Sequence, residues 1–211
     1  MAAPQMSMVL AHHFQVVPVA TLSGLSAKLD FFAIPEDFAY TDSDPAGLGE
    51  LQERIDLFAL LVDARTGISK EMIAIWQHFQ ERQFPRVMIV QGIEFSESDF
   101  DDIVLIGNRV LEQFATPFLV LHDDIGQPTA LISLEDNLVH DYSGSQANRY
   151  SADSELVDLI SDFQDEYLEL HEEMGETGFA EGIFAIAIPV GSQKPFGIPE
   201  LNSIIEALAK R

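Results

Sequence analysis

The sequence predicts an α/β domain built on one doubly wound, mostly parallel sheet with helices on both faces. Three observations predict it. Short apolar runs alternate along the chain with amphipathic helical patterns, an order that implies right-handed crossovers between parallel strands. The two most apolar runs, 57–62 (LFALLV) and 183–189 (IFAIAIP), show no alternating polar face, as strands covered on both sides of a sheet require. The 211 residues, 47% of them hydrophobic, suffice for one full core, and no repeat or low-complexity tract divides them. One domain over 1–211 is therefore expected.

The elements follow in order. Apolar runs at 7–11 (SMVLA) and 29–34 (LDFFAI) read as strands, and 47–56 as a helix leading into the strand 57–62. A helix is expected over 69–83, with Ser69 as its cap ahead of Lys-Glu-Met. The run 86–90 (RVMIV) is a strand that stops in Gln91-Gly92-Ile93-Glu94. In open α/β sheets such strand ends are where ligands gather. Ser98, before Asp99, is expected to open a helix over 98–114, and 117–121 and 129–133 read as strands. The polar stretch 140–153, HDYSGSQANRYSAD, reads as a loop. Over 154–174 the residues Leu156, Ile160, Phe163, Tyr167, Leu170 and Met174 recur every three or four positions, giving a helix with one apolar stripe and an acidic back. After the strand 183–189, Pro199 suits the first turn of a last helix over 199–209.

Charge excludes whole classes of partner. Thirty-five acidic residues against 11 basic give a formal net charge of −24, and the four lysines, Lys28, Lys70, Lys194 and Lys210, are scattered singly. Nucleic acid and anionic lipid both need clustered cations, so no nucleic-acid partner and no membrane partner are expected. No apolar run approaches the roughly 18–20 residues that cross a bilayer, and MAAPQMSMVLAHH lacks the positive start of a secretory signal. A soluble, cytoplasmic protein is the expectation. Zero cysteines remove disulfides, thiolate catalysis and thiolate metal sites.

No metal site or catalytic residue is expected. His12 and His13 are adjacent, so in an extended segment they point opposite ways. His122, Asp123 and Asp124 fit a solvated turn at a strand end, and His171 with Glu172 and Glu173 lacks the HExxH spacing. The acidic runs 97–102 and 162–173 are simplest as solvated helix faces.

Several strings, in the same order and spacing over about 180 residues, resemble the GTP-binding domain of elongation factor G and its actinobacterial elongation factor G-like relatives. LFALLVDARTGISKEMIAIW is similar to that family's strand, aspartate, glycine turn and helix ending in tryptophan, with Asp63, Gly67 and Trp76 in place. FPRVMIV is similar to the strand before the guanine-reading loop. The stretch from SDFDDIVLIGNRVLEQFATPFLVL to the Asp-Tyr-Ser of VHDYSG resembles the following helix and an insert, about 116–145, with its Pro117 and its Gly126 and Pro128 turn. IAIPVGSQKPFGIPELNSIIEAL resembles the last strand, loop and helix. The resemblance implies a P-loop-GTPase-like, three-layer fold.

It also implies where a nucleotide would sit, and four motifs there depart from the family pattern. No Gly-Lys-Ser/Thr of a phosphate loop exists. If 7–11 is a central first strand, Pro18 falls near the lysine position; if 14–34 is an edge hairpin, the loop is deleted altogether. Where the family has Asp-Thr-Pro-Gly, this chain reads AIPE, with Ala33 for the aspartate, Pro35 retained and Glu36 for the glycine. Gln91, Gly92 and Glu94 stand for the Asn, Lys and Asp that read guanine. Gly191 and Ser192 keep the last loop, with Gln193 in place of alanine. Losing the lysine, the magnesium ligand and the base reader together removes on the order of 6 kcal/mol, about four decades of affinity.

The expectation is a pseudo-GTPase. Gln91, Gly92, Glu94, Gly191 and Ser192 are remnant guanine-site positions, no cofactor is held, and GTP or GDP is not expected to bind. The chain closes at EALAKR, after the last helix of that domain. The surface such a domain turns to its neighbours is then expected to be polar, or to meet a protein partner or a second copy in a homo-oligomer. FATPFLVL and QKPFGIP are the apolar candidates for that surface. Two alternatives are a weak GTP-binding protein or GTPase related to translation elongation, and a pocket repurposed for another small molecule.

Overall fold

A computed structural model describes residues 5–12, 28–33, 48–95, 97, 99–175, 177–191 and 196–208; for 5–12, 28–33, 50 and 51 it describes the backbone alone. The fold is mixed α/β, with a parallel sheet, a separate antiparallel sheet and helices. Strands β1 (Gln5–His12), β2 (Lys28–Ala33), β3 (Leu57–Asp63), β4 (Arg86–Gln91), β5 (Phe114–Ala115) and β10 (Ala185–Val190) form a six-stranded sheet in the order β2-β1-β3-β4-β10-β5. All its pairings are parallel. Strands β6 (Phe118–His122), β7 (Pro128–Ser133), β8 (Leu138–Asp141) and β9 (Asn148–Ser151) form the antiparallel sheet.

The apolar run of β3 explains why the parallel sheet is covered twice. Phe58, Leu60 and Val62 join one core cluster with Met72, Ile75, Trp76 and Phe79 of helix α2 (Lys70–Gln80) and with Phe100 and Ile103 of helix α3 (Phe100–Val110). Leu57, Ala59 and Leu61 point the other way, into a cluster with Leu201 and Ile205 of helix α5 (Ile198–Leu208). A short helix, α1 (Leu48–Gln52), precedes β3 and contributes Leu48 to the first cluster; it fills only part of the expected 47–56.

Strand β1 lies between β2 and β3, paired with both. This is the central first strand of the first register considered above. The chain reverses direction across the sheet between β1 and β3, so the crevice above their carboxyl ends is a topological switch point. Pro18 and His13 lie outside the described residues.

Helix starts follow their caps. Ser69 Oγ accepts the Met72 amide at 3.2 Å, as expected. For α3 the cap is Asp99, not Ser98: its carboxylate accepts the Asp102 amide at 2.9 Å, and an acid suits the positive end of a helix. Helix α4 (Ser154–Met174) starts where Asp153 accepts the Leu156 amide at 2.9 Å and stops at Gly175, whose φ of 75° ends the helical path.

Several expectations need correction. The stretch 140–153 is not one continuous loop: it begins with the end of β8, is irregular over 142–147 and includes all of β9, because β8 gives β9 a hydrogen-bonding template; all four residues of β9 are exposed, so no apolar period marks it. With it the insert sheet extends to Ser151 rather than about 145. The stripe on α4 is not wholly buried: Ile160 packs on the antiparallel sheet and Leu170 and Met174 on the parallel one, but Phe163 is 55% exposed. Of FATPFLVL, Phe114, Ala115 and Val120 are buried while Phe118, Leu119 and Leu121 are half-buried, and Phe196 and Ile198 after QKP are buried.

Two buried polar networks join the layers. Arg86, 1% exposed, donates from Nε and Nη2 to the Glu112 carboxylate at 2.6 and 2.8 Å, and from Nη1 to the carbonyls of Phe84 and Gly182. The Trp76 indole donates to the same carboxylate at 2.8 Å. The second network docks the antiparallel sheet on α5. Glu200, in the first turn of α5 and 1% exposed, meets His140 Nδ1 of β8 and accepts from Tyr142 Oη with both oxygens at 2.7 Å. Burial, and then the hydrogen bond to that carboxylate, push the Tyr142 phenol far above its usual range.

Candidate functional site

The site grows from the carboxyl ends of β3, β4 and β10. Parallel register sets Asp63 beside Gln91 and Gln91 beside Val190, so the turns that follow share one edge. After β3 the chain turns sharply: the Asp63 carbonyl accepts the amides of Thr66 and Gly67 at 3.0 and 2.9 Å, and Gly67 has φ +72°. That turn carries Arg65 back over its own aspartate. Asp63 Oδ1 accepts from the Arg65 amide at 3.0 Å and from Nε at 2.8 Å, while Oδ2 meets Nη2 at 2.5 Å. The hydrogen bonds from Arg65, outweighing burial, hold the Asp63 carboxyl below its usual 3.8.

Gly92 fits under this pair. Its φ is +76°, and a Cβ there would lie 3.0 Å from Asp63 Oδ1 and 3.6 Å from Arg65 Nε. A side chain at position 92 therefore meets both backbone strain and an occupied space. The Gly92 carbonyl accepts the Phe95 amide at 3.0 Å, closing a 3-10 turn over Ile93–Phe95, and the Arg65 guanidinium lies 6.0 Å from the centre of the Phe95 ring. Gln91 is 4% exposed, and its Oε1 has no hydrogen-bond partner among the described residues.

Of the five positions expected at a guanine site, the structure brings Glu94 and Gly191 to one cavity and leaves Gln91 and Gly92 out of its lining. Glu94 and Gly191 line a cavity of about 370 Å³ together with Ile93 and Phe95, with Phe196, with Thr129 of β7, and with Asp123, Gln127 and Ser143 of the antiparallel sheet's turns. Gln91 and Gly92 lie behind it, against β3 and the Asp63–Arg65 pair. Ser192 lies outside the described residues. The Gly191 amide donates to the Phe196 carbonyl at 2.9 Å, so the loop after β10 folds back on itself. Gly197, at φ +74°, passes so close to β10 that a Cβ would sit 1.9 Å from the Pro189 carbonyl oxygen.

The cavity's chemistry is acidic, hydroxylic and aromatic. No Lys, Arg or His among the described residues lines it. Asp123 spends Oδ1 on the amides of Ile125 and Gln127, each near 3 Å, which is the solvated turn expected of 122–124. No group of three or more His, Asp or Glu among the described residues could hold a metal ion.

Sequence reasoning missed the residues that shape the site from behind. Arg65 was visible in DARTG, but its pairing with Asp63 depends on the sharp turn at Gly67. Tyr142 and Glu200, 58 residues apart, join below the cavity, where the Tyr142 ring packs on Phe196 at 5.3 Å. The one sequence signal for Glu200 was an acid in the turn that Pro199 opens.

No protein-family model matches the chain, and no curated protein matches it. Among solved structures it is similar to the crystal structure of ttk003000868 from Thermus thermophilus, with a TM-score of 0.73 at 13% identity. The match covers 98% of this chain and 40% of that one, so the chain spans less than half the length of this neighbour. At that identity the likeness is one of fold. No helix among the described residues is long and apolar enough to cross a membrane.

Proposed function

We propose that this chain is a degenerate GTP-binding domain of the elongation factor G type, a P-loop-GTPase-like, doubly wound fold that no longer hydrolyses GTP. In this reading it acts as a protein-binding or regulatory module. With the resemblance go a cytoplasmic setting and a partner that is a protein rather than nucleic acid or lipid. The parallel order β2-β1-β3-β4-β10, with β1 central and the strand bearing Gln91 beside the one leading to Gly191, supports the fold assignment.

One observation carries the loss of function. At the position where the family's lysine stem would cover the base, Gly92 has a left-handed backbone and the Asp63–Arg65 pair fills the space beyond it. The base reader's neighbour, Gln91, is turned into the protein and buried. Isothermal titration with GTP and GDP in excess magnesium tests the reading. The expected result is no binding tighter than about 10 μM; a tighter constant overturns it.

A second reading, weak guanine-nucleotide binding, draws on the cavity beside Glu94 and Gly191. It predicts saturable heats at high micromolar nucleotide, abolished by Glu94→Ala.

A further inference from the structure

A group of exposed apolar residues lies away from that cavity, on helices α3 and α4. Leu105 of α3 and Phe163 of α4 are 51% and 55% exposed, and Leu159, one turn before Phe163, is 75% exposed. Between the two helices runs a groove of about 390 Å³, walled by Leu105 and Phe163 and reaching Phe114 of the edge strand β5 and Leu119 of β6. Along α4 the positions 159, 163, 166 and 170 are spaced four, three and four, so Leu159, Phe163, Glu166 and Leu170 form one row along its side. Single exposed apolar residues need no explanation, but exposed apolar residues of two helices on the walls of one groove mark an interaction surface.

The charges say what fits it. Asp101 and Glu166 line the groove, and no Lys, Arg or His among the described residues does. Helix α4 contains no Lys or Arg over its 21 residues. Beside Asp101 stand the further carboxylates of Asp99 and Asp102 and one opposing group, His122, so the field at that end of the groove stays acidic. A second copy fits badly, because a symmetric pairing sets the same two carboxylates against themselves on chains that each carry −24.

We propose that the α3–α4 groove docks a basic amphipathic helix of a partner protein, its apolar stripe on Leu105 and Phe163 and its Lys or Arg residues on Asp101 and Glu166. A groove between two helices is the shape that receives a third, as ridges of side chains settle into it. The inference rests on the protein-binding reading and gives that reading a site and a partner chemistry.

The probe is a labelled helix-forming peptide of leucine and lysine, with leucine at every third or fourth position, compared with the same peptide carrying glutamate for lysine. Fluorescence anisotropy measures its binding to the full chain and to variants whose far-UV circular dichroism matches the parent. The double variant Leu105→Ala/Phe163→Ala, altered only at exposed positions, is expected to weaken binding by at least about tenfold, as loss of apolar anchors does. Glu166→Gln is expected to weaken it by about two- to fivefold, less at high salt. Glu172→Gln, which removes an exposed charge from the opposite side of α4, leaves binding unchanged. Equal binding to every variant would mean diffuse attraction to an acidic surface and overturns the proposal. So do absent binding, equal binding of the glutamate peptide, and a dimer in sedimentation that the double variant dissolves. Nucleotide titration of the same samples separates the two claims: tight GTP binding removes the pseudo-GTPase reading, whereas a silent peptide with no nucleotide binding removes the groove alone.

Discussion

Placing at position 92 the lysine that the proposed family carries there should harm the protein rather than give it nucleotide binding. Gly92→Lys puts an L-residue at φ +76°, which costs about 1–2 kcal/mol. Its Cβ also arrives 3.0 Å from Asp63 Oδ1, inside the usual contact distance, so the carboxylate must shift and loosen its grip on Arg65. That part is inexpensive, because Arg65 is half exposed and an exposed ion pair contributes about 0–1 kcal/mol. The sum is about 2 kcal/mol, which for a chain of this length lowers Tm by about 4–8 °C. The single tryptophan, Trp76, is fully buried and reports unfolding by fluorescence. The assay is a thermal melt of the parent, of Gly92→Lys, and of the triple variant Gln91→Asn/Gly92→Lys/Glu94→Asp, each with and without millimolar GDP and magnesium. Both variants should melt lower than the parent and GDP should move none of them. An unchanged Tm for Gly92→Lys, or a GDP-dependent rise in the triple variant, would refute the argument that this space is closed.

Three further perturbations follow from the buried networks and the Asp63 pair. Glu112→Ala strips the partner from a guanidinium that is 1% exposed and should cost about 3–5 kcal/mol in urea unfolding, whereas Arg86→Met/Glu112→Leu, which removes both charges, should recover most of that. A loss under about 1 kcal/mol for Glu112→Ala would show that the carboxylate does not hold Arg86. Glu200→Ala leaves His140 and Tyr142 facing a hole and should cost about 3 kcal/mol, while Tyr142→Phe, which leaves His140 on the carboxylate, should cost about 1 kcal/mol; equal losses would mean that the hydroxyl, not the carboxylate, organises the cluster. Asp63 titrates below its usual 3.8 in the folded chain, so its contribution is full above that value and is lost as pH falls through the lower, folded one. Asp63→Asn should therefore flatten the stability–pH curve below about pH 4, and unchanged acid sensitivity would count against the Arg65 bond as its cause.

The sequence foretold most where local chemistry and tertiary packing agree. Strands β3 and β10 were legible because burial on both faces leaves an unbroken apolar run, and α4 because its apolar residues recur every three or four positions. Strand β9 was not, because its polar residues NRYS owe their conformation to pairing with β8, a contact no periodicity records. Helical spacing identified the apolar stripe of α4 but could not tell Ile160, packed on the antiparallel sheet, from Phe163, left beside an open groove.

The site was half legible for the same reason. Gln91 to Glu94 are neighbours in the chain, and their place at a strand end followed from the run before them. What Gly92 faces is set by Asp63 and Arg65 from another strand, and the cavity wall by Asp123 and Ser143 from another sheet. The hydrogen bond between Tyr142 and Glu200 spans 58 residues and has no local signature.

Crystals grown with millimolar GDP and magnesium put the proposed loss of guanine binding to its most direct test. The expected result is a carboxyl edge without nucleotide density, Arg65 still on Asp63 and Gly92 unmoved. A guanine base ordered between Glu94 and Gly191, with phosphates running toward the end of β1, would contradict it.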